Sequence, residues 1–98
     1  MITLEYIKKV LQEEKKEILK LGIKNIGIFG SYIRNEANDN SDVDILIDIT
    51  PDSSLTLFSL IDLELRISEK LNKKIDIVIK SDLKPNIGKK ILSEVVYV

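Results

Sequence analysis

The stretch GSYIRNEANDNSDVDILIDI, residues 30–49, contains the features on which the fold prediction rests. Its second half, DVDILIDI at 42–49, alternates apolar and polar side chains, which is the period of a half-buried β-strand. Val43, Ile45, Ile47 and Ile49 are expected on one face, and Asp42, Asp44, Leu46 and Asp48 on the other. The first half begins with Gly30-Ser31, directly after a short apolar run, and continues through several turn-forming residues.

Two further strands are predicted on either side of this stretch. KNIGIF at 24–29 predicts a short strand that ends at Gly30, and SYIRNEA at 31–37 predicts a short helix that starts at or just after Ser31. KKIDIVIK at 73–80 alternates again, with Ile75, Ile77 and Ile79 on one face and Asp76 on the other. If this third strand pairs beside the second, Asp76 joins the face of Asp42 and Asp44.

Three longer helices complete the predicted order. Residues 3–21 predict an amphipathic helix with Thr3 as its N-cap, a solvated mixed-charge run at 13–17 and Gly22 as its stop. A second helix runs from Ser54 or a neighbour to about Leu71, with an apolar stripe listed as Leu57, Leu60, Ile61, Leu65 and Leu71. A last helix, 86–95, follows Pro85. The order α-β-α-β-α-β-α predicts an α/β (α+β) domain with helices packed mainly on one face of a small mixed sheet.

Composition limits the classes of function. With 98 residues the chain is expected to form a single domain, 1–98. Its 15 basic and 16 acidic residues give a net charge of −1, so nothing attracts nucleic acid or an anionic membrane globally. The chain has no histidine and no cysteine, which excludes a Cys/His zinc site and a Ser-His-Asp triad. No apolar run approaches the ~20 residues of a membrane span, and a cytoplasmic location is the expectation.

The aspartates are candidates for a metal site. Asp42 and Asp44 are two residues apart on one strand, so their side chains share a face about 7 Å apart. Three converging carboxylates, with Asp76, repel one another unless cations neutralise them. Oxygen ligands favour magnesium, manganese or calcium, and two Mg²⁺ ions are the usual solution beside substrate phosphates. The alternative for an isolated D-x-D is a solvated turn.

The Gly30-Ser31 pair is a candidate for the phosphate half of the same site. Glycine allows a sharp turn and the close approach of a ligand, and backbone N–H groups at the start of a helix favour an anion. Ser31 adds a hydroxyl donor. Gly-Ser after a strand is more often only a turn, but its combination with D-x-D indicates transfer of a phosphoryl or nucleotidyl group.

Gly30-Ser31, ten residues and Asp42-x-Asp44 together resemble the G-S-x10-D-x-D signature of the DNA polymerase beta-like nucleotidyltransferase superfamily. Arg34, Glu36-Ala37 and the C-terminal ILSEVVYV are similar to its minimal nucleotidyltransferase (MNT) branch. The resemblance covers essentially the whole chain and implies the nucleotidyltransferase fold. It implies that Gly30 and Ser31 hold the nucleotide triphosphate, that Asp42 and Asp44 bind Mg²⁺, and that Asp76 is the third carboxylate.

The MNT branch includes antitoxins of HEPN–MNT toxin–antitoxin pairs. The resemblance therefore implies Mg²⁺-dependent transfer of AMP from ATP to a tyrosine of a HEPN ribonuclease toxin. A non-catalytic antitoxin that works by covering its partner is a second hypothesis. Transfer to a small molecule such as an aminoglycoside is a weaker third hypothesis, because the chain is expected to form a single domain.

The sequence leaves two possible roles open for each of several residues. Arg34 either contacts a phosphate or pairs with a carboxylate, and Tyr32 either positions nucleotide or packs in a loop. The apolar C-terminal residues 95–98 either meet a partner or finish the core. Asn35 stands where the family often has glycine, and asparagine tolerates the left-handed backbone required there. Asp48 lies further along the strand and is interpreted as peripheral.

Overall fold

The computed structural model describes residues 2–98 as a mixed sheet with helices on both faces. The helices are α1 Leu4–Glu13, α2 Lys15–Lys20, α3 Leu57–Leu71 and α4 Pro85–Glu94, with a 3-10 turn at Lys80–Asp82. The strands are β1 Ile23–Phe29, β2 Val43–Ile49, β3 Ile75–Ile79 and β4 Val96–Tyr97, in the order β3-β2-β1-β4. β2 and β3 are parallel, whereas β1 is antiparallel to β2 and β4. The predicted fold class is confirmed.

The main core lies between one sheet face and the first three helices. Buried aliphatic side chains of the strands meet those of α1, α2 and α3; they include Ile26, Ile28, Val43, Ile45, Ile47, Ile7, Leu11, Ile18, Leu63 and Ile67. On the other face, Ile91 of α4 packs against Phe29 and Leu46 in a smaller cluster. The helices therefore pack mainly on one face, and α4 contacts the face that carries the aspartates.

Local signals in the sequence mark several boundaries correctly. The Thr3 hydroxyl accepts a hydrogen bond from the Tyr6 N–H at 3.1 Å and caps α1. Gly22 has a φ of +83° after α2, as a helix stop requires. Pro85 is the first residue of α4. These signals are local hydrogen-bonding and steric effects, so they do not depend on tertiary packing.

The first helix is interrupted at Glu14, and the prediction that the whole 13–17 run is solvated is wrong at that residue. The Glu14 side chain is buried between helices and forms ion pairs with Lys70 at 3.2 Å and Arg66 at 3.4 Å. Both cations project from α3. Burial of a carboxylate is tolerated here because two opposite charges compensate for its lost hydration.

The predicted short helix at 31–37 does not form. The N–H groups of Ile33 and Arg34 donate to the Gly30 carbonyl, and the Glu36 N–H donates to the Ser31 carbonyl at 2.9 Å. Asn35 has a φ of 59°, which confirms the expected left-handed backbone. This left-handed residue closes the turn and ends helical propagation after one turn.

The predicted apolar stripe of α3 is partly wrong. The helix begins after Thr56, whose side chain caps it, and its buried residues are Leu63, Ile67 and Leu71. Leu57, Ile61 and Leu65 are exposed, although the prediction placed them in the core. Apolar residues occur around most of α3, and its contacts with α1 and β3 select which of them face inward.

The C-terminal residues add a fourth strand that the predicted order lacks. In β4, Val96 pairs with Ile28 and Tyr97 with Gly27, so the chain ends beside β1. Val98 packs against the main core, whereas Val96 and Tyr97 are partly exposed. Within residues 2–98, no helix combines the length and the apolar character needed to cross a membrane.

Candidate active site

Two of the predicted site aspartates lie side by side on neighbouring strands. Asp44 of β2 and Asp76 of β3 are direct Cα partners in the parallel ladder. The condition stated for Asp76 to join the other aspartates, that the third strand pairs beside the second, is therefore met. The Asp76 side chain is exposed, and Asp44 is partly buried. Asp42 directly precedes β2, where its neighbour Val43 donates a backbone hydrogen bond to the Lys74 carbonyl. All three carboxylates therefore lie at one end of the β2–β3 pair.

The carboxylate of Asp44 is the most perturbed group at this end of the sheet. Burial and the nearby charges of Asp76 and Asp42 raise the pKa of Asp44 to about 6, while the Arg34 cation acts in the opposite direction. Lost hydration is the larger cause of this shift, and repulsion by the neighbouring carboxylates adds to it. A bound cation would relieve that repulsion.

The residues fit a divalent cation by donor type, although they do not surround one in this arrangement. Among residues 2–98, no three acidic side chains are grouped closely enough to hold a metal ion. The Asp42 carboxylate points to Lys74, with 3.9 Å between Oδ2 and Nζ; the Lys74 side chain is exposed and that of Asp42 is partly exposed. Such a contact is weak, so Asp42 is free to turn towards Asp44. Carboxylate oxygens at this position suit Mg²⁺.

Gly30 lies against the carboxylate of Asp44. Its φ is +82°, and a Cβ at this position would overlap the Asp44 Oδ2 atom. Glycine is required here for two reasons, the left-handed backbone and the missing side chain. The turn at Gly30-Ser31 is thus adjacent to the aspartates, as the predicted two-part site requires, and Ser31 follows in a partly buried position.

The backbone N–H of Gly30 is held by a residue that sequence reasoning missed. Glu94, the last residue of α4, accepts a hydrogen bond from the Gly30 N–H at 2.9 Å through Oε2. The same carboxylate accepts from Arg34 Nη1 at 3.0 Å and 3.2 Å. Arg34 Nε donates to Glu36, so the guanidinium is paired with carboxylates, one of its two expected roles. The only sequence signal for Glu94 is its place in ILSEVVYV.

An open cleft of about 270 Å³ lies beside the contact between the end of β1 and α4. Its lining combines apolar side chains with cations and carboxylates: Phe29, Gly30, Arg34, Asp44, Ile87, Lys90, Ile91 and Glu94. Ile87 and Lys90 were not predicted as site residues. They face the cleft because α4 carries Ile87, Lys90, Ile91 and Glu94 at helical spacing. Apolar walls with a few charged groups are the usual lining of a small-molecule site.

Two residues near the site, Tyr32 and Asp48, contact other parts of the fold and do not line the cleft. Tyr32 is 6% exposed and belongs to the main core, in agreement with its interpretation as a packed loop aromatic. Asp48 forms ion pairs with Lys24 and Lys80, each at 3.8 Å. Its charge is compensated by these lysines, and it lies away from the cleft residues.

A mixed sheet that brings a Gly-Ser turn against paired aspartates is the arrangement of a nucleotidyltransferase. Residues 4–98 match the nucleotidyltransferase domain family, and the chain belongs to that family. More particularly, the chain is 48% identical over 99 residues to the protein adenylyltransferase MntA of Thermococcus cleftensis. That match covers 100% of this chain and 98% of the relative.

Solved structures show the same fold. A structure described as a minimal nucleotidyltransferase superposes with a TM-score of 0.81 at 26% sequence identity. The match covers 97% of this chain and 95% of the other. The MntA-HepT toxin–antitoxin structure has a TM-score of 0.66 at 17% identity, covering 95% of this chain and 68% of its own. A toxin–antitoxin structure with AMP-PNP has a TM-score of 0.69 at 19% sequence identity, and the match covers 95% of this chain and 69% of the other. At these lower identities the likeness concerns the fold.

Proposed function

We propose that the chain is a Mg²⁺-dependent protein adenylyltransferase that transfers AMP from ATP to a tyrosine of a HEPN-domain toxin and thereby acts as an antitoxin. The observation that carries this proposal is the contact between the Gly30 turn and Asp44. This contact brings hydrogen-bond donors for phosphate and a carboxylate together in one cleft. The MntA relative is named a protein adenylyltransferase, and related toxin–antitoxin structures include one with AMP-PNP. Both support the proposal.

The proposed reaction exchanges one phosphoester linkage for another. The acceptor tyrosine oxygen forms a bond to the α-phosphorus of ATP, and the bond from that phosphorus to the oxygen bridging to the β-phosphate breaks. Pyrophosphate leaves with the electron pair, and the hydroxyl proton passes to a carboxylate or to water. Asp76 is the most exposed of the three carboxylates, so an acceptor protein can reach it from solvent.

The residues have separate roles in this proposal. The Gly30 N–H, the Ser31 hydroxyl and Arg34 bind phosphate oxygens, and the apolar side chains of Ile87 and Ile91 line the cleft beside them. Asp42, Asp44 and Asp76 would hold Mg²⁺, with two ions proposed. Bound Mg²⁺ supplies charge neutralisation on the α-phosphate and leaving group and lowers the pKa of the attacking hydroxyl.

The proposal is tested by incubating the purified chain with ATP, Mg²⁺ and a candidate HEPN-domain toxin. Peptide mapping by tandem mass spectrometry should locate AMP on a tyrosine of the partner. AMP on no residue of the partner, with both proteins folded, would contradict the proposal. AMP on a different residue type would keep the reaction and correct the acceptor.

A binding-only antitoxin is the second candidate, and one observation favours it. In this arrangement the Gly30 N–H and Arg34 are occupied by Glu94, and no three described acidic side chains enclose a metal site. A chain in which Asp42, Asp44 and Asp76 are all changed to asparagine separates the two candidates. Full neutralisation of the partner by this variant would favour binding alone, whereas loss of neutralisation with complex formation intact favours catalysis.

A further inference from the structure

The carboxylate of Glu94 accepts hydrogen bonds from the same groups, the Gly30 N–H and Arg34, that the proposed function assigns to phosphate binding. Its Oε2 atom accepts from the Gly30 N–H at 2.9 Å and from Arg34 Nη1 at 3.0 Å. We propose that Glu94 is an internal competitor for the nucleotide phosphates, which determines the affinity of the cleft for phosphate-bearing ligands and is displaced when they bind. This inference rests on the proposed function, because it concerns the same site.

The geometry makes simultaneous occupancy unfavourable. A backbone N–H supplies a single hydrogen, and the one on Gly30 is already directed at Glu94. The Glu94 side chain is only 14% exposed, so its carboxylate lies within the wall of the cleft and does not extend into solvent. A phosphate oxygen that reaches the Gly30 N–H must therefore take the place of the carboxylate oxygen.

Electrostatics favour the same conclusion. Glu94 adds its negative charge to the surroundings of Asp44 and contributes to the raised pKa of that carboxyl. Arg34 is the cation that pairs with Glu94, and Glu36 already shares it. An incoming triphosphate meets repulsion from Glu94 for as long as the carboxylate remains there, because both are anions that compete for the same guanidinium.

Glutamine at position 94 provides a change of charge with little change of size. Its amide oxygen can still accept from the Gly30 N–H, but as a neutral group it competes less strongly than a carboxylate for Gly30 and Arg34. A competing internal state lowers apparent affinity by the fraction of molecules in which the site is open. Because charge-assisted hydrogen bonds are about twice as strong as neutral ones, we expect roughly tenfold tighter phosphate binding in Glu94→Gln.

A purely structural role for Glu94 makes the opposite prediction. If Glu94 only held Arg34 in place for the phosphate, its replacement would release Arg34, and phosphate affinity would fall. If Glu94 only joined α4 to the turn at Gly30, its replacement would lower the melting temperature and leave affinity unchanged. Affinity and thermal stability must therefore be measured on the same samples.

Isothermal titration with inorganic tripolyphosphate and with a non-hydrolysable α,β-methylene ATP analogue, each with Mg²⁺, tests the inference directly. Wild type is compared with Glu94→Gln and with Glu69→Gln, which removes an exposed carboxylate from α3 outside the cleft. We expect about tenfold tighter binding of both ligands by Glu94→Gln and unchanged binding by Glu69→Gln. Adenosine, which has no phosphate, should bind wild type and Glu94→Gln equally.

The outcomes separate this inference from the proposed function. Equal or weaker binding by Glu94→Gln, with wild type binding the analogue, overturns the inference alone. Tighter binding without any AMP transfer by wild type overturns the proposed function alone, and no binding by either protein overturns both. Should Glu94→Gln fail to fold, Glu94→Asp provides the same test. Its carboxylate is one methylene further from the Gly30 N–H, so tighter binding is again expected, and unchanged or weaker binding overturns the inference.

Discussion

Asp44 and Asp76 are direct partners in the parallel ladder of β2 and β3, and each carries a carboxylate on the sheet face that α4 contacts. Two aspartates in this relationship oppose folding electrostatically, because like charges on neighbouring strands repel. The repulsion is reflected in the pKa of Asp44, which burial and the charges of Asp76 and Asp42 raise to about 6. An arrangement that costs stability without a ligand is typical of a functional site.

Replacement of Asp44 by asparagine should stabilise the protein in the absence of divalent cations. The amide has nearly the same size and removes the charge that Asp76 and Asp42 oppose. We expect a gain on the order of 1 kcal/mol in the free energy of unfolding at pH 7, after allowance for solvent screening of a partly exposed group. Urea denaturation in the presence of EDTA measures this gain, and lower stability of Asp44→Asn would contradict it.

The stabilisation by Asp44→Asn should also depend on pH. The folded-state pKa of about 6 lies above that of an unfolded aspartate, so the folded state binds more protons between these values. The destabilisation caused by the Asp44 charge therefore decreases as pH falls from 7 towards 4, because the carboxyl becomes neutral. The difference between Asp44→Asn and wild type should shrink over this range, as measured by urea denaturation at several pH values. A constant difference would show that the charge of Asp44 is not the cause.

Magnesium should stabilise wild type more than it stabilises Asp44→Asn. A ligand that binds only the folded state adds about 2.7 kcal/mol when its concentration is a hundred times its dissociation constant. Loss of one carboxylate weakens the site, so the melting temperature of the variant should rise less for the same addition of MgCl₂. Thermal unfolding with MgCl₂ and with KCl at equal ionic strength checks this. Equal shifts in both proteins would place the cation elsewhere.

Gly30→Ala should remove nucleotide binding and also destabilise the fold. Both the φ of +82° and the overlap with Asp44 oppose a methyl group at this position, at a cost of about 1–3 kcal/mol. Gly22→Ala is a matched control, since Gly22 has a φ of +83° and its Cβ would meet Ser53, away from the cleft. Binding of the ATP analogue should be lost only in Gly30→Ala. Equal affinities in the two folded variants would contradict the proposed phosphate site.

The buried carboxylate of Glu14 should contribute to stability through α3. Glu14→Ala removes two ion pairs, with Lys70 and Arg66, and leaves a gap between helices, whereas Glu13→Ala removes an exposed side chain. We expect a loss of about 1–2 kcal/mol for Glu14→Ala and little change for Glu13→Ala. The cost is moderate because both cations can be solvated. Equal urea midpoints for the two variants would be evidence against this role.

Strand alternation was sufficient to predict which face of its strand carries each aspartate, and local stop signals were sufficient to predict several helix boundaries, whereas the pairing of β3 beside β2 entered only as a condition. Asp42, Asp44 and Asp76 follow from the period of two in β2 and β3, and Thr3, Gly22 and Pro85 act through their own neighbours. These features are local, so a single sequence reveals them.

Features that depend on distant contacts were missed. The inward face of α3 is chosen by its packing on α1 and β3, and the burial of Glu14 depends on cations 52 and 56 residues away, Arg66 and Lys70. The contact of Glu94 with Gly30 spans 64 residues and has no periodic signal. The short helix at 31–37 failed because the left-handed Asn35 closes a single turn.

The central claim is that the carboxylates beside the Gly30 turn support AMP transfer to a partner protein. Its most direct test is the intact mass of a candidate HEPN-domain protein after incubation with ATP, Mg²⁺ and one of three versions of this chain: wild type, Asp42→Asn/Asp44→Asn, or Asp62→Asn. The last removes an exposed aspartate of α3 as a matched control. The account predicts an added AMP mass with wild type and Asp62→Asn, and none with the double variant, which remains folded. The same added mass with all three chains would contradict it.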